Sequence, residues 1–358
     1  ALSQNRLVVG TPAFEAVISA AELDQALTAT AYTVRKPSRR GSADIQAVEH
    51  DDGLFFVQRS GRRLYEIFTG DGGKMNSQDI SRLNPVAYKL GIKRLAVQQQ
   101  PNTRLYALML DGSLVVTTHE RDDKVIAVTT RSIAGGIIED IETMPNIDQD
   151  DIYLVVNRSG KRYLERFASE SDQRSVLTCA LLDGHKVLTS VSSITGATQF
   201  AGETVQVWAD GQRRDDIAID SSGASGSLGA TFARVVYGKK YTASYRSVKL
   251  AYAEQLGNAI GQTKIVHGAA LVMANSCLDG VRFGPDTTRL DPMPDIVDGQ
   301  ERTANQFFAH YDADILPIDG DWSTDSRICF EIDSAEGPAT VQAIVLDVET
   351  RDGAAAGN

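Results

Sequence analysis

The chain has 358 residues, 42% apolar and 23% charged, which is a globular composition and argues against a disordered chain. No apolar run approaches the roughly 18 residues of a membrane span, so no transmembrane helix is expected. The 36 basic and 47 acidic residues leave a net charge of −11, which argues against a chain built to grip a phosphate backbone, because that needs clustered Lys and Arg. The length suits one to three domains. No basic segment followed by an apolar one opens the chain, so no secretion signal is expected. Ala1, not Met, comes first and is treated as a possible cut.

Strand signals dominate the first half. A weak hairpin at Leu7-Val-Val-Gly-Thr-Pro-Ala-Phe-Glu-Ala-Val17 comes first, and 13–27 reads either as its continuation or as a helix around Ser19–Leu27. Leu54-Phe-Phe-Val57 then leads through Ser60-Gly61 into Leu64-Tyr-Glu-Ile-Phe68, two apolar runs flanking a turn. Asn76 and Pro85 bracket a predicted helix over 77–84. The segment 105–116 turns at Asp111-Gly112. The 52–68 segment recurs without a gap at 151–167, matching in Asp, Val, Arg-Ser-Gly, Arg, Glu and Phe. A hairpin about every 50 residues predicts β-propeller blades over 1–170, because one twisted blade cannot bury both its faces alone.

After Phe167 the repeat stops, and the polar run 168–175 reads as a boundary. Strands around 204–219 and 235–250, with a flexible Gly/Ser-rich loop at 221–227, predict a small β-barrel over 171–250. A C-terminal β-domain is expected over 251–350, ending in strand-like 327–332 and 340–346, and 351–358 is expected to be a disordered tail. Cys179, Cys277 and Cys329 form no C-x-x-C pair and read as reduced core thiols, as synthesis in a reducing cytoplasm would leave them.

The candidates for chemistry are weak. Gly257–Lys264 is not a phosphate loop, since its lysine does not follow the second glycine and no Ser or Thr follows the lysine. Gly223–Ser227 lacks the final glycine of a nucleophile elbow. Asp148, Asp150 and Asp151 cluster before a strand, and Asp312, Asp314, Asp319, Asp321 and Asp325 crowd one loop. Asp319, Asp321 and Asp325 offer the hard oxygens that calcium needs, but the stretch lacks the glycine and glutamate of an EF-hand loop, so they read mainly as solvated turn residues. A carboxylate pair for glycoside hydrolysis has no separation fixed by sequence. Arg39, Arg40, Arg59, Arg62, Arg63, Lys161 and Arg162 are basic spots, read as solvated tips or ion-pair partners, with direct DNA contact as the sharper alternative. No catalytic, cofactor-binding or complete metal-binding set emerges, and no enzyme activity or cofactor is expected.

In this order the segments resemble the tail nozzle proteins of short-tailed bacteriophages, also called the tail tubular protein B family. Leu54-Phe-Phe-Val-Gln-Arg-Ser-Gly-Arg-Arg-Leu-Tyr-Glu-Ile67 is similar to the family's FVQR-type segment. Val34–Ser42, Leu95–Pro101, Leu105–Leu114, Ile152–Arg158, Tyr163–Phe167 and the closing Val341–Thr350 follow in family order. The chain departs at Val125–Thr130, where family members often carry Trp and His, and whole nozzle proteins look longer at the N-terminus. The resemblance implies a virion tail subunit, made in the host bacterial cytoplasm. It would form a self-assembled hexameric ring that meets an adaptor or connector protein and tail fibres, with DNA passing through without tight binding. A propeller-type glycan-binding or glycan-hydrolysing tail protein is the alternative.

Overall fold

The computed structural model describes residues 2–3, 6–20, 27–50, 53–70, 75–121, 123–169, 177–178, 182–250, 253–254, 257–258, 261–312 and 315–351. Asp52, Cys179, Asp314 and the expected tail from 352 onward lie outside them, as does most of the 168–175 boundary. The fold is all-β, and the helical elements described are three-residue 3-10 turns. The chain divides into two compact units, Ala1–Phe167 and Ala168–Asn358.

The first unit is four consecutive antiparallel sheets, each a meander in chain order. Sheet 1 holds β1 (Leu2–Ser3), β2 (Arg6–Gly10), β3 (Glu15–Ala20) and β4 (Tyr32–Ser38). Sheet 2 holds β5 (Val48–His50), β6 (Gly53–Val57), β7 (Leu64–Thr69) and β8 (Met75–Asp79). Sheet 3 holds β9 (Ile92–Gln98), β10 (Arg104–Met109), β11 (Leu114–Glu120) and β12 (Val125–Arg131). Sheet 4 holds β13 (Ile137–Met144), β14 (Asp151–Arg158) and β15 (Lys161–Arg166). The repeated hairpins are thus the second and third strands of their sheets in every case.

Period-two alternation decides how the sheets stack. Leu54, Phe56, Tyr65 and Ile67 point back to Val8 and Val17 of sheet 1. Phe55, Val57 and Leu64 point forward to Leu95, Leu105, Ala107 and Met109 of sheet 3. Tyr106, Leu108, Leu114 and Val116 pack in turn on Ile141, Ile152, Leu154 and Val156 of sheet 4. Sheets 2 and 3 are buried on both faces, which is why β6 and β10 read as unbroken apolar runs. Backbone bonds latch each hairpin turn to the next sheet. Ile92 N–H donates to the Gly61 carbonyl (2.8 Å) and Ile138 N–H to the Gly112 carbonyl (3.3 Å). Both glycines hold positive φ, 72° and 83°, a region that costs other residues strain.

The 52–68 and 151–167 hairpins share a place in the topology but not a facing. Gapless alignment puts Leu154 over Phe55, yet Phe55 packs forward on sheet 3 and Leu154 packs back on it. The turns differ. Gln58 N–H reaches the Arg63 carbonyl (2.9 Å) across a four-residue loop, whereas Arg158 and Lys161 pair across Ser159 (φ 50°) and Gly160 (φ 84°). The pairing register is the same in both, since Val57 pairs with Leu64 as Val156 pairs with Tyr163, so the turn does not account for the change of facing. The predicted helix at 77–84 is instead the end of β8 followed by a 3-10 turn, Ile80–Arg82. Gln78 pairs with Glu66 in the ladder, and the Ser81 hydroxyl accepts the Leu64 N–H (3.2 Å), so sheet pairing overrides local helix propensity. Residues 15–20 are β3, which decides the first part of 13–27 for strand.

In the second unit, β16 (Asp183–Ser193), β17 (Thr204–Ala209), β18 (Gln212–Ala218) and β19 (Ser227–Lys239) form one sheet in the order β16-β19-β17-β18. This is an open sheet where a barrel was expected. Its core holds Phe200, Val205, Val207, Val235 and Tyr237. The 221–227 loop is held by bonds: Asp220 accepts the Ser222 and Ala224 N–H groups (2.8 and 3.0 Å), and the Gly223 carbonyl accepts the Ala197 N–H (2.8 Å). β20 (Thr242–Arg246) precedes two short ladder strands, β21 (Ala253–Glu254) and β22 (Gly257–Asn258), and the long β23 (Thr263–Cys277). After these come β24 (Val281–Asp286), β25 (Arg289–Pro292), the paired β26 (Ile296–Val297) and β27 (Gln300–Glu301), β28 (Phe307–Tyr311), β29 (Leu316–Pro317), β30 (Cys329–Asp333) and β31 (Thr340–Arg351).

A sheet in the order β20-β30-β24-β25 shares a core with a sheet centred on β23, which pairs β31 on one side and β28 and β29 on the other. The expected boundary at 250 therefore falls inside a single unit, because β20 belongs to the sheet of β30. The Trp208 indole also donates to the Ala335 carbonyl (2.8 Å). Cys277 and Cys329 are buried.

Leu105 is fully buried between sheets 2 and 3, while Leu164 on the outer side of sheet 4 is 72% exposed. Leu105→Ala is expected to cost about 2–5 kcal/mol in urea unfolding of the first unit. Leu164→Ala is expected to stay within about 0.5 kcal/mol.

Candidate functional site

The acidic loop is organised around a lysine, not a vacant cation site. Lys264 on β23 is buried, and its ammonium donates to the Gln262 and Thr324 carbonyls (3.0 and 3.5 Å). Its backbone pairs with Ser323 in both directions (2.9 Å each), and its carbonyl accepts the Ser326 hydroxyl (2.7 Å). Desolvation pushes this ammonium below its ordinary pKa. Of the loop's oxygens the Thr324 carbonyl faces this ammonium, while Asp319, Asp321 and Asp325 are exposed. Asp321 accepts from Arg289 (2.8 Å) and Asp325 from Arg327 (2.7 Å). Among the described residues no three His, Cys, Asp or Glu side chains are grouped to hold a metal ion, so Asp319, Asp321 and Asp325 do not form the calcium set their spacing suggested.

The other candidates resolve into structural bonds. Asp150 accepts the Gln99 and Gln100 N–H groups (2.7 and 3.1 Å), and Asp151 takes Arg166 (3.1 Å) and Asn146 (3.1 Å). Arg63 lies 3.8 Å from Asp79, Arg162 is 2.5 Å from Glu139, and Arg59 donates to the Pro12 carbonyl (3.2 Å). Arg40 sits over the Tyr65 ring, 5.3 Å from its centroid. Arg39, Arg62 and Lys161 are exposed at turns. The basic tips are therefore spread along sheets 1, 2 and 4, with Arg63 and Arg162 ion-paired.

A cavity of about 530 Å³ opens between β20, β30 and β31. Tyr245, Phe330, Ile332 and Ile344 line it, with no carboxylate, histidine, cysteine or lysine on its wall. It offers apolar contact and no acid–base pair.

Sequence reasoning missed one buried polar group. Glu66 on β7 is 1% exposed and faces sheet 3, where the His119 ring lies 3.4 Å away and Arg121 donates to its other oxygen. His50 stacks on Phe55, whose ring also meets His119 edge-on. Arg121 covers the Phe68 ring at 4.7 Å. Gly53 makes room: a Cβ there would come within 3.1 Å of the Arg121 guanidinium. The signal was a carboxylate inside the continuous apolar run of a strand buried on both faces. Such a charge requires partners, because an unpaired one in the interior is costly. Burial pushes the His119 pKa down, with Glu66 opposing that shift and Arg121 and His50 adding to it.

Charge is divided unequally between the units. Residues 1–167 carry 21 Lys and Arg against 21 Asp and Glu, and residues 168–358 carry 15 against 26. The whole net charge of −11 therefore belongs to the second unit. No protein-family model matches the chain, and no curated protein matches it.

His119 gives the first unit an acid-sensitive seam. A base with a depressed folded pKa contributes stability that is present above its unfolded value, about 6.5, and lost as pH falls through that value. Urea unfolding of the first unit is expected to weaken from about pH 7 to about pH 5, and His119→Gln is expected to flatten that loss. An unchanged acid slope in the variant would assign the pH dependence to other groups.

Proposed function

We propose that the chain is a structural subunit of a short-tailed phage tail nozzle, a ring in the virion through which DNA leaves, with the stacked sheets serving as propeller blades. The observation that carries this reading is the ordered resemblance of segments 34–42, 54–67, 95–101, 105–114, 152–158, 163–167 and 341–350 to that family. Two further features support it. Of the candidate carboxylates, Asp150 is held by backbone N–H groups and Asp151, Asp321 and Asp325 by arginine. The acidic balance of the second unit also suits a conduit that must not hold its cargo, since DNA carries one charge per about 1.7 Å and binds where cations cluster. In this reading the partners are further copies, an adaptor and tail fibres, and the chain performs no catalysis.

Purified particles of the source phage are expected to contain the protein, and an image of the tail is expected to show a ring of it below the portal. Its absence from particles would overturn the reading. Free protein is expected to bind duplex DNA only weakly at physiological salt. Submicromolar filter binding lost on reversing Arg59, Arg62 and Lys161 would instead make the ring a DNA clamp, with the steep salt slope that six to ten phosphate contacts produce.

A further inference from the structure

The neutral total of the first unit conceals a polarity. In each meander the turn between second and third strands lies at the same end as the link to the next sheet. Arg59 N–H, in the turn of sheet 2, donates to the Gly41 carbonyl of a link (2.7 Å), and Leu110 N–H, in the turn of sheet 3, to the Gly91 carbonyl of the next (2.9 Å). These turns and links carry seven Lys and Arg against two Asp. The stretches joining first to second and third to fourth strands carry three Lys and Arg against nine Asp and Glu.

The basic rim is also apolar. Its link 83–91 is pinned by Tyr88, fully buried with its hydroxyl 2.6 Å from that of Thr117. Lys89 N–H donates to the Val86 carbonyl (3.2 Å) and Gly91 N–H to the Tyr88 carbonyl (3.1 Å). Leu83 and Val86 are left outside, 71% and 64% exposed. Leu110, 67% exposed, lies over Gly91, where a Cβ would come within 2.9 Å of its Cδ1. Exposed Ile137 covers Gly112 in the same way. Arg59, Arg62, Arg82 and Lys89 are exposed on this rim. Of its two acids, Asp111 turns its carboxylate onto the Ser113 N–H and hydroxyl (3.0 and 2.7 Å), and Asp44 sits in the link between sheets 1 and 2.

We infer that this rim is a membrane-contact surface, which seats its aliphatic turn tips at the headgroup boundary of a bilayer containing anionic lipids while its cations meet the phosphates. Charge and shape choose the occupant. The rim is net positive, so the same rim of a second copy would be repelled. Its exposed apolar area is on the order of the few hundred Å² that marks a contact site, yet short of the ~800 Å² per partner of a stable protein complex. Duplex DNA would use the cations but has no place for Leu83, Val86 and Leu110. The aliphatics stand on convex turns, and a fluid bilayer takes in such tips without a matching groove. Apolar side chains beside Lys and Arg are what holds a protein in the interface, and each cation near an anionic leaflet contributes roughly fivefold in partitioning. The contact needs no spanning segment and does not depend on the nozzle reading.

The test is flotation of the full-length chain with vesicles of phosphatidylcholine, with and without about 30% phosphatidylglycerol. Wild type is expected to float with the phosphatidylglycerol vesicles about tenfold better than with phosphatidylcholine alone, and less well at about 0.5 M salt. Leu83→Ser with Leu110→Ser, and separately Arg62→Glu with Lys89→Glu, are each expected to lower that partitioning about tenfold. Ile147→Ser, an exposed apolar change off this rim, is expected to leave it unchanged. All these sites are exposed, so melting temperatures should match the wild type and confirm folding. A wild type that does not float would overturn the inference. So would flotation that survives the serine exchange but not the charge reversal, which would make the rim a general anion site open to duplex DNA. Lipid-free self-association abolished by the serine exchange would also overturn it, assigning the rim to a contact between copies.

Discussion

A twisted sheet of short strands has two faces and cannot fold one onto the other, so each sheet of the first unit depends on a neighbour. Sheets 2 and 3 meet this need with apolar residues on both faces. Once both faces are committed, the strands cannot slip, because a one-residue shift would exchange the two cores. The turn-to-sheet latches, from Ile92 to Gly61 and from Ile138 to Gly112, hold that register at the ends of the strands. Packing and backbone bonding thus repeat together along the stack.

Commitment of both faces leaves no wet side for a charged residue on a central strand. Glu66 therefore has to be met by what the next sheet supplies, the Arg121 guanidinium on one oxygen and the His119 ring beside the other. The arrangement couples sheets 2 and 3 through a charge as well as through the apolar contacts around Phe55. Removing the carboxylate's partners would leave a buried charge, whereas replacing the group by well-packed apolar residues could be neutral. The cluster therefore places a titratable ring, that of His119, in the buried part of this seam.

The local parts of this fold were legible in the sequence. Hairpins depend on alternation and turn glycines within about 15 residues, and each of them is a strand pair of its sheet. Facing was not legible, because the two hairpins share one pairing register, Val57 with Leu64 and Val156 with Tyr163, and which face turns to which neighbour is decided only where the sheets meet. The 77–84 helix failed because its residues had ladder partners on β7 that no local window contains. The acidic loop misled for a related reason. Composition counts oxygens but does not say which way they face, and the ammonium that fills the loop comes from Lys264, remote in sequence. Glu66 and His119 are likewise joined only by stacking. What the sequence hides here is whatever is decided by two sheets meeting.

The division of charge bears on how a conduit would be built from this chain. A count over the whole protein suggests an acidic wall wherever the wall lies. The unit counts do not, since the first unit is neutral and the second holds the excess carboxylates. In the second unit part of that excess is tied up: Asp286 and Asp321 share Arg289, and Asp279 and Asp295 share Arg302. Exposed pairs of this kind contribute little to stability and are screened by salt, but they cancel the local field. The carboxylates left to repel a passing phosphate are those with no cation beside them, and exposed Asp319 has no arginine or lysine bridged to it among the described residues. On the nozzle reading, repulsion would therefore come from the second unit, and the first, with no net charge, would contribute little of it.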